Sequence, residues 1–130
     1  MRIAVDTNVL VRAVVQDDPK QAEIASKAVK AEVVAVATSC LCEFVWVLRR
    51  AYGFKPPAIA ATIRQLLAAG NVEANRPAVD AGLTMLEAGG DFADGVIAFE
   101  GRWLGGETFV SFDKKAVDML VSQGEPARLL

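Results

Sequence analysis

Four acidic residues stand out because each lies in a mostly apolar stretch of the sequence. They are Asp6 in residues 3–11, Glu43 in 40–48, Asp94 in 92–99 and Asp113 at the end of 108–113. An isolated carboxylate in a low-dielectric site costs several kcal/mol unless it is protonated or paired. None of the 14 basic residues lies within four positions of Glu43. We therefore expect these acids to converge on a bound divalent cation.

The residue types that are absent narrow the possible chemistry. The sequence has no histidine, which excludes a Ser-His-Asp hydrolase, a paired-histidine ribonuclease and a helical zinc protease. Carboxylates and water are the ligands that Mg²⁺ and Mn²⁺ prefer. The pattern favours one of these two ions over a metal that needs nitrogen or sulfur ligands.

Each acid also has a structural interpretation. Asp6 and Asp113 precede predicted helices and could simply cap them. Asp91 and Asp94 are three residues apart, so Asp91 could be the cap and Asp94 its partner in a capping box; for Asp91 we prefer that role. Glu43 could be a buried acid that is protonated or paired with a distant cation.

Strand and helix patterns alternate along the whole chain, with no repeat or long linker. Apolar β-branched runs and turn residues predict strands at 2–5, 33–37, 71–74, 108–111 and 127–130. Helical spacing with caps, prolines and glycines predicts helices at 8–15, 19–30, 38–52, 56–69, 77–88, 91–104 and 113–122. Thr7 or Asn8 should cap the first helix, and Thr38 or Ser39 the third.

This alternation predicts one domain over residues 1–130, a three-layer α/β fold around a mainly parallel sheet. In such sheets, ligands bind at the carboxyl ends of the strands. Asp6 and Asp113 both follow a predicted strand directly, so both are expected at that edge.

Composition sets the broad class of protein. The 130 residues are 53% hydrophobic, with a net charge of −2, enough apolar material for one core. No apolar run reaches the roughly 18 residues that cross a bilayer, and Asp6 interrupts the segment where a signal peptide would be apolar; we expect a cytoplasmic protein. Cys40 and Cys42 are expected to be reduced and buried.

The acidic motifs, taken in order, resemble the PIN-domain family and in particular the VapC-type toxins of bacterial toxin–antitoxin pairs. The resemblance rests on D-T-N-V-L-V-R at 6–12, D-D-P-K-Q-A at 17–22, S-x-x-x-E at 39–43, D-F-A-D-G-V-I-A at 91–98 and S-F-D at 111–113. It extends over essentially the whole chain. Two departures are Ser111, where threonine is frequent, and Gly95, where alanine is usual.

The resemblance implies an endoribonuclease that depends on Mg²⁺ or Mn²⁺, with Asp6, Glu43, Asp94 and Asp113 as the pocket acids. Thr7, Asn8 and Ser111 resemble the polar residues that orient them. One or two ions, about 3.5–4 Å apart if two are bound, would activate water against an RNA phosphate. The implied products carry 5′-phosphate and 3′-hydroxyl ends.

Partners follow from the same resemblance. It implies an inhibitory VapB-like antitoxin and a homodimer, and Trp46, opposite the apolar face of its helix, is a candidate interface residue. Arg12 could reach a substrate phosphate or play an ordinary surface role. The alternative function is a non-catalytic PIN-like module that binds RNA or protein.

Overall fold

Seven helices alternate with five short strands in the computed structural model, which describes residues 1–130. The strands are β1 (Arg2–Ala4), β2 (Val33–Ala35), β3 (Val72–Glu73), β4 (Phe109–Ser111) and β5 (Ala127–Leu129). The helices are α1 (Thr7–Val15), α2 (Pro19–Ala31), α3 (Thr38–Arg50), α4 (Pro56–Ala68), α5 (Arg76–Glu87), α6 (Phe92–Trp103) and α7 (Lys114–Ser122). None of these helices has the length and apolar character needed to cross a membrane.

The first of two compact units, Met1–Asn75, contains a three-stranded parallel sheet in the order β1-β2-β3. Its central strand pairs Ile3 with Val34 on one side and Val34 with Val72 on the other. Val34 is fully buried, as expected for a central β-branched residue. Helix α1 packs against α2 and α3. This packing sets the position of Asp6, which lies between β1 and α1.

The second unit, Arg76–Leu130, contains the parallel pair β4-β5 and helices α5, α6 and α7. Helices α5 and α6 pack closely, while α7 packs against both strands. Phe92 and Met85 are completely buried in its core. The two candidate ligands of this unit lie at the beginnings of helices, Asp94 in the first turn of α6 and Asp113 as the N-cap of α7.

The predicted mixed α/β class with parallel strand pairing is confirmed. The elements lie where the sequence placed them, with differences of one or two residues at some ends. Two predicted caps are wrong: Asp6 rather than Thr7 or Asn8 caps α1, and α3 follows Ala37 with no side-chain cap. The predicted strand at 33–37 ends at Ala35, two residues before that cap position.

Candidate metal centre

Asp6 is positioned by the end of β1 and the start of α1. It is the N-cap residue, and its Oδ1 accepts a hydrogen bond from the Thr7 backbone N–H at 2.7 Å. Its side chain is exposed. The capping interpretation is therefore correct for Asp6, but the cap uses one oxygen and leaves Oδ2 available to a ligand.

Glu43 is linked to the beginning of α1 through Thr7. The Thr7 hydroxyl donates to Glu43 Oε2 at 3.0 Å, across the contact between α1 and α3. Thr7 is only 8% exposed and is the one buried polar side chain of the protein. A single threonine thus holds Asp6 through its backbone and Glu43 through its side chain, so the two carboxylates occupy fixed positions beside each other.

Cys40 lies behind this pair, with its sulfur 3.7 Å from the Thr7 hydroxyl oxygen. Burial raises the pKa of the Cys40 thiol, and the negative charges of Asp6 and Glu43 raise it further. Both cysteines are free, as predicted; Cys40 is buried, whereas Cys42 is only half-buried. Both effects favour the neutral thiol over the thiolate.

A cavity of about 410 Å³ opens beside Asp6 and Glu43. Its lining consists of Asp6, Thr7, Asn8, Val11, Arg12, Glu43, Val47 and Tyr52. Asn8 is exposed there and has no hydrogen bond that fixes it. Thr7 thus has the hydrogen bonds that its predicted orienting role needs, whereas Asn8 has none, and both roles stay predictions.

Asp94 lies in the first turn of α6, in the second unit. Asp91 caps this helix by accepting from the Ala93 backbone N–H at 3.1 Å, as predicted. Asp94 is half-buried, and burial, followed by the charges of Asp91 and Asp113, raises the pKa of its carboxyl group. Its side chain takes no part in a capping box, since neither carboxylate oxygen has a hydrogen-bond partner.

Asp113 follows β4 and caps α7, with Oδ1 accepting from the Ala116 backbone N–H at 3.2 Å. Its own backbone N–H donates to Ser111 Oγ at 2.9 Å. The predicted orienting role of Ser111 therefore has a structural basis, because the serine fixes the turn that carries Asp113.

The expectation that apolar neighbours bury these acids is wrong for three of them. Asp6, Glu43 and Asp113 are exposed, and only Asp94 is half-buried. In α3 the reason is helical geometry: Leu41 and Phe44 face the core, whereas Glu43 projects from another face.

Each unit supplies two carboxylates of the kind that a hard cation prefers as ligands, Asp6 and Glu43 in the first and Asp94 and Asp113 in the second. None of them forms a salt bridge within its own unit, and each keeps at least one oxygen without a protein donor. No three acidic or cysteine side chains form a ready-made metal cage. Mg²⁺ commonly keeps several waters and uses one or two carboxylates with substrate phosphates, so the residues fit such an ion.

Arg12, the predicted substrate contact, is paired. Its Nη1 lies 2.9 Å from Asp17 Oδ1, and the Tyr52 hydroxyl donates to Asp17 Oδ2 at 2.9 Å. The sequence analysis assigned no role to the Asp17 side chain and did not single out Tyr52. No local pattern could have revealed this cluster, because Tyr52 is 35 residues away from Asp17.

Comparison with known proteins identifies the family. The PIN domain family matches residues 3–119, and the mixed α/β structure agrees with the three-layer α/β/α fold of that family. The chain therefore belongs to the PIN-domain family. PIN domains are generally nucleases that act on RNA or DNA and typically use divalent metal ions. A search of curated proteins finds no match to this chain.

Proposed function

We propose that this protein is an Mg²⁺- or Mn²⁺-dependent endoribonuclease and the toxin of a toxin–antitoxin pair. Asp6, Glu43, Asp94 and Asp113 are the proposed metal ligands. One observation carries the proposal: in a PIN-domain chain, each of these carboxylates keeps an unpaired oxygen and none is neutralised by a lysine or arginine of its unit. We further propose that both units belong to one PIN domain, since the family match includes both.

Asp94 supplies the strongest electrostatic support for a cation. Burial and the neighbouring charges of Asp91 and Asp113 raise the pKa of its carboxyl group, so removing the proton leaves negative charge that is poorly compensated. The negative charges that favour a proton on Asp94 also attract a divalent ion. Asp94 in its ionised form is thus suited to bind a metal.

The chain's other residues would fix the ligands and exclude alternative rotamers. Thr7 restrains Asp6 and Glu43 together, and Ser111 restrains the turn at Asp113. When bound, the metal would supply an activated water and charge neutralisation at the phosphate. Because water attack needs no 2′-hydroxyl, preference for RNA would come from shape and single-strand access.

The regulatory part of the proposal concerns partners. We propose a VapB-like antitoxin that inhibits the enzyme and a homodimer in which Trp46 contributes to an interface. In support, Trp46 is 63% exposed on α3, and the acidic cavity is complementary to a basic partner residue. A cytoplasmic location remains a prediction.

Asp94→Asn tests the catalytic proposal directly. The variant should lose Mn²⁺-dependent cleavage of a single-stranded RNA by at least about 100-fold, by analogy with the loss of one transition-state-stabilising group, and should bind Mn²⁺ more weakly in calorimetry. Asp118→Asn is the matched control: Asp118 is exposed on α7 and pairs with Lys114, so its loss should leave cleavage unchanged.

Equal cleavage by the Asp94→Asn variant and the parent would refute the assignment of Asp94. A parent that binds RNA but neither takes up Mn²⁺ nor cleaves would favour the alternative, a non-catalytic PIN-like module. The toxin role is tested separately by inducing the parent and the Asp94→Asn variant in a growing bacterium with RNA profiling. Growth arrest with the parent alone is the expected result.

A further inference from the structure

Three side chains from separate segments of the first unit form a fixed cluster beside the candidate metal ligands. Arg12 is in the last turn of α1, Asp17 is in the turn before α2, and Tyr52 follows the end of α3. The two oxygens of Asp17 accept from Arg12 and Tyr52 respectively, both at 2.9 Å. One carboxylate therefore orients a guanidinium group and an aromatic ring together.

The cluster shares a cavity with the acidic residues. Arg12 and Tyr52 line the same cavity of about 410 Å³ as Asp6 and Glu43. Arg12 lies six residues beyond Asp6, or roughly 9 Å along the helix axis at about 1.5 Å per residue. The cavity thus has the carboxylates of Asp6 and Glu43 at one end and the guanidinium group of Arg12 with the ring of Tyr52 at the other. This separation would let one ligand contact both ends through neighbouring groups.

The remaining binding capacity of the cluster matches the chemistry of a nucleotide. Arg12 uses one N–H on Asp17, and a guanidinium group has five, so several donors remain for a phosphate. Tyr52 is half-buried and lines the cavity. Unpaired bases stack on such rings. Arg12 keeps its positive charge when it pairs with the exposed Asp17, so it can bind a phosphate through both charge and directed hydrogen bonds.

We infer that Arg12 and Tyr52 form a subsite for the nucleotide adjacent to the cleaved phosphate of a single-stranded RNA, with Arg12 on a phosphate and Tyr52 under the base. Asp17 is a positioning residue that sets the orientation of both. This inference rests on the proposed nuclease function and specifies which part of the substrate the cavity binds.

The test uses variants of the full chain and an unstructured, fluorescently labelled oligouridylate. Arg12→Gln and Tyr52→Leu should each raise KM about tenfold with little change in kcat, since a stacked base or a phosphate contact contributes mainly to binding. Arg49→Gln is the matched control, because Arg49 is exposed on α3 and does not line the cavity. Thermal unfolding checks that each variant is folded.

Equilibrium binding adds a measurement that does not need cleavage. With Ca²⁺ in place of Mn²⁺, the slope of log Kd against log salt should fall by about 0.7 in Arg12→Gln, the value for one phosphate contact to a single strand. Arg12→Lys should restore that slope, and Tyr52→Leu should leave it unchanged while weakening binding. If Tyr52→Leu fails to fold, Tyr52→Phe, which keeps the ring, should bind more tightly than Tyr52→Ala.

The outcomes separate this inference from the proposed function. A parent that cleaves RNA, together with Arg12 and Tyr52 variants of unchanged KM and salt slope, would overturn the subsite and leave the nuclease intact. A parent that fails to cleave in Mn²⁺ would overturn the nuclease proposal, and the subsite with it as a substrate site. A lower slope in Arg49→Gln equal to that in Arg12→Gln would also overturn the subsite, because the phosphate contact would then be non-specific.

Discussion

The closest helix contact of the second unit makes Gly95 a sensitive position. A Cβ atom added there would lie 2.3 Å from the backbone oxygen of Ala81 and 2.9 Å from Met85 Cγ. Ordinary contact begins at 3.4 Å, so α5 and α6 would have to separate by about 1 Å. Rotating a side chain cannot relieve the clash, since the nearer atom belongs to the backbone.

Two opposing terms set the size of the effect in Gly95→Ala. Helix propensity favours alanine by about 1 kcal/mol, whereas overpacking of a tight contact costs about 1–3 kcal/mol. A backbone clash belongs at the upper end of that range. We expect a net loss of about 1–2 kcal/mol in the free energy of unfolding.

Gly101→Ala is the matched control in the same helix. A Cβ at Gly101 would meet nothing within 4 Å. Only the higher helix propensity of alanine then acts, and the free energy of unfolding should rise by about 0.5–1 kcal/mol. Urea unfolding at neutral pH measures the stability of both variants. The midpoint urea concentration of Gly95→Ala should fall by about 0.5–1 M, with an unchanged dependence of the unfolding free energy on urea. If Gly95→Ala is as stable as Gly101→Ala, the close approach of α5 and α6 does not exist in solution.

Three further predictions concern other residues. Thr7→Val should weaken Mn²⁺ binding and lower the free energy of unfolding by about 1 kcal/mol, the net value of a hydrogen bond, because Glu43 loses its donor. Thr7→Ser should restore Mn²⁺ affinity, measured by calorimetry, and stability, measured by urea unfolding. Equal values for the two variants would exclude the hydroxyl group as the cause. The pKa of Asp94 is raised above 3.8, so the folded state binds this proton more tightly than the unfolded state and its contribution to stability falls as pH rises through the folded-state pKa. Urea unfolding at several pH values should therefore show that the parent loses stability relative to Asp94→Asn over this window, whereas a pH-independent difference would contradict the shift. Trp46→Ala should leave monomer stability within about 0.5 kcal/mol but weaken self-association in sedimentation velocity, and an unchanged dimer would remove Trp46 from the interface.

The sequence by itself determined the order of elements and the identity of the candidate ligands. Periodicity, prolines and glycines located every helix and strand, because these signals act over a few residues and need no distant partner. The absence of histidine and the acidic motifs predicted a site for Mg²⁺ or Mn²⁺, again from residue types alone. Even the capping roles of Asp91 and Asp113 could be predicted from their positions before helices.

Only the tertiary structure decided which residues lie together and which are exposed. Apolar neighbours suggested that Glu43 is buried, but its exposure depends on which face of α3 packs against the core. The bond from Thr7 to Glu43 joins residues 36 positions apart, and the cluster of Arg12, Asp17 and Tyr52 joins three separate segments. Such contacts arise from the packing of whole helices, so no local pattern in the chain encodes them.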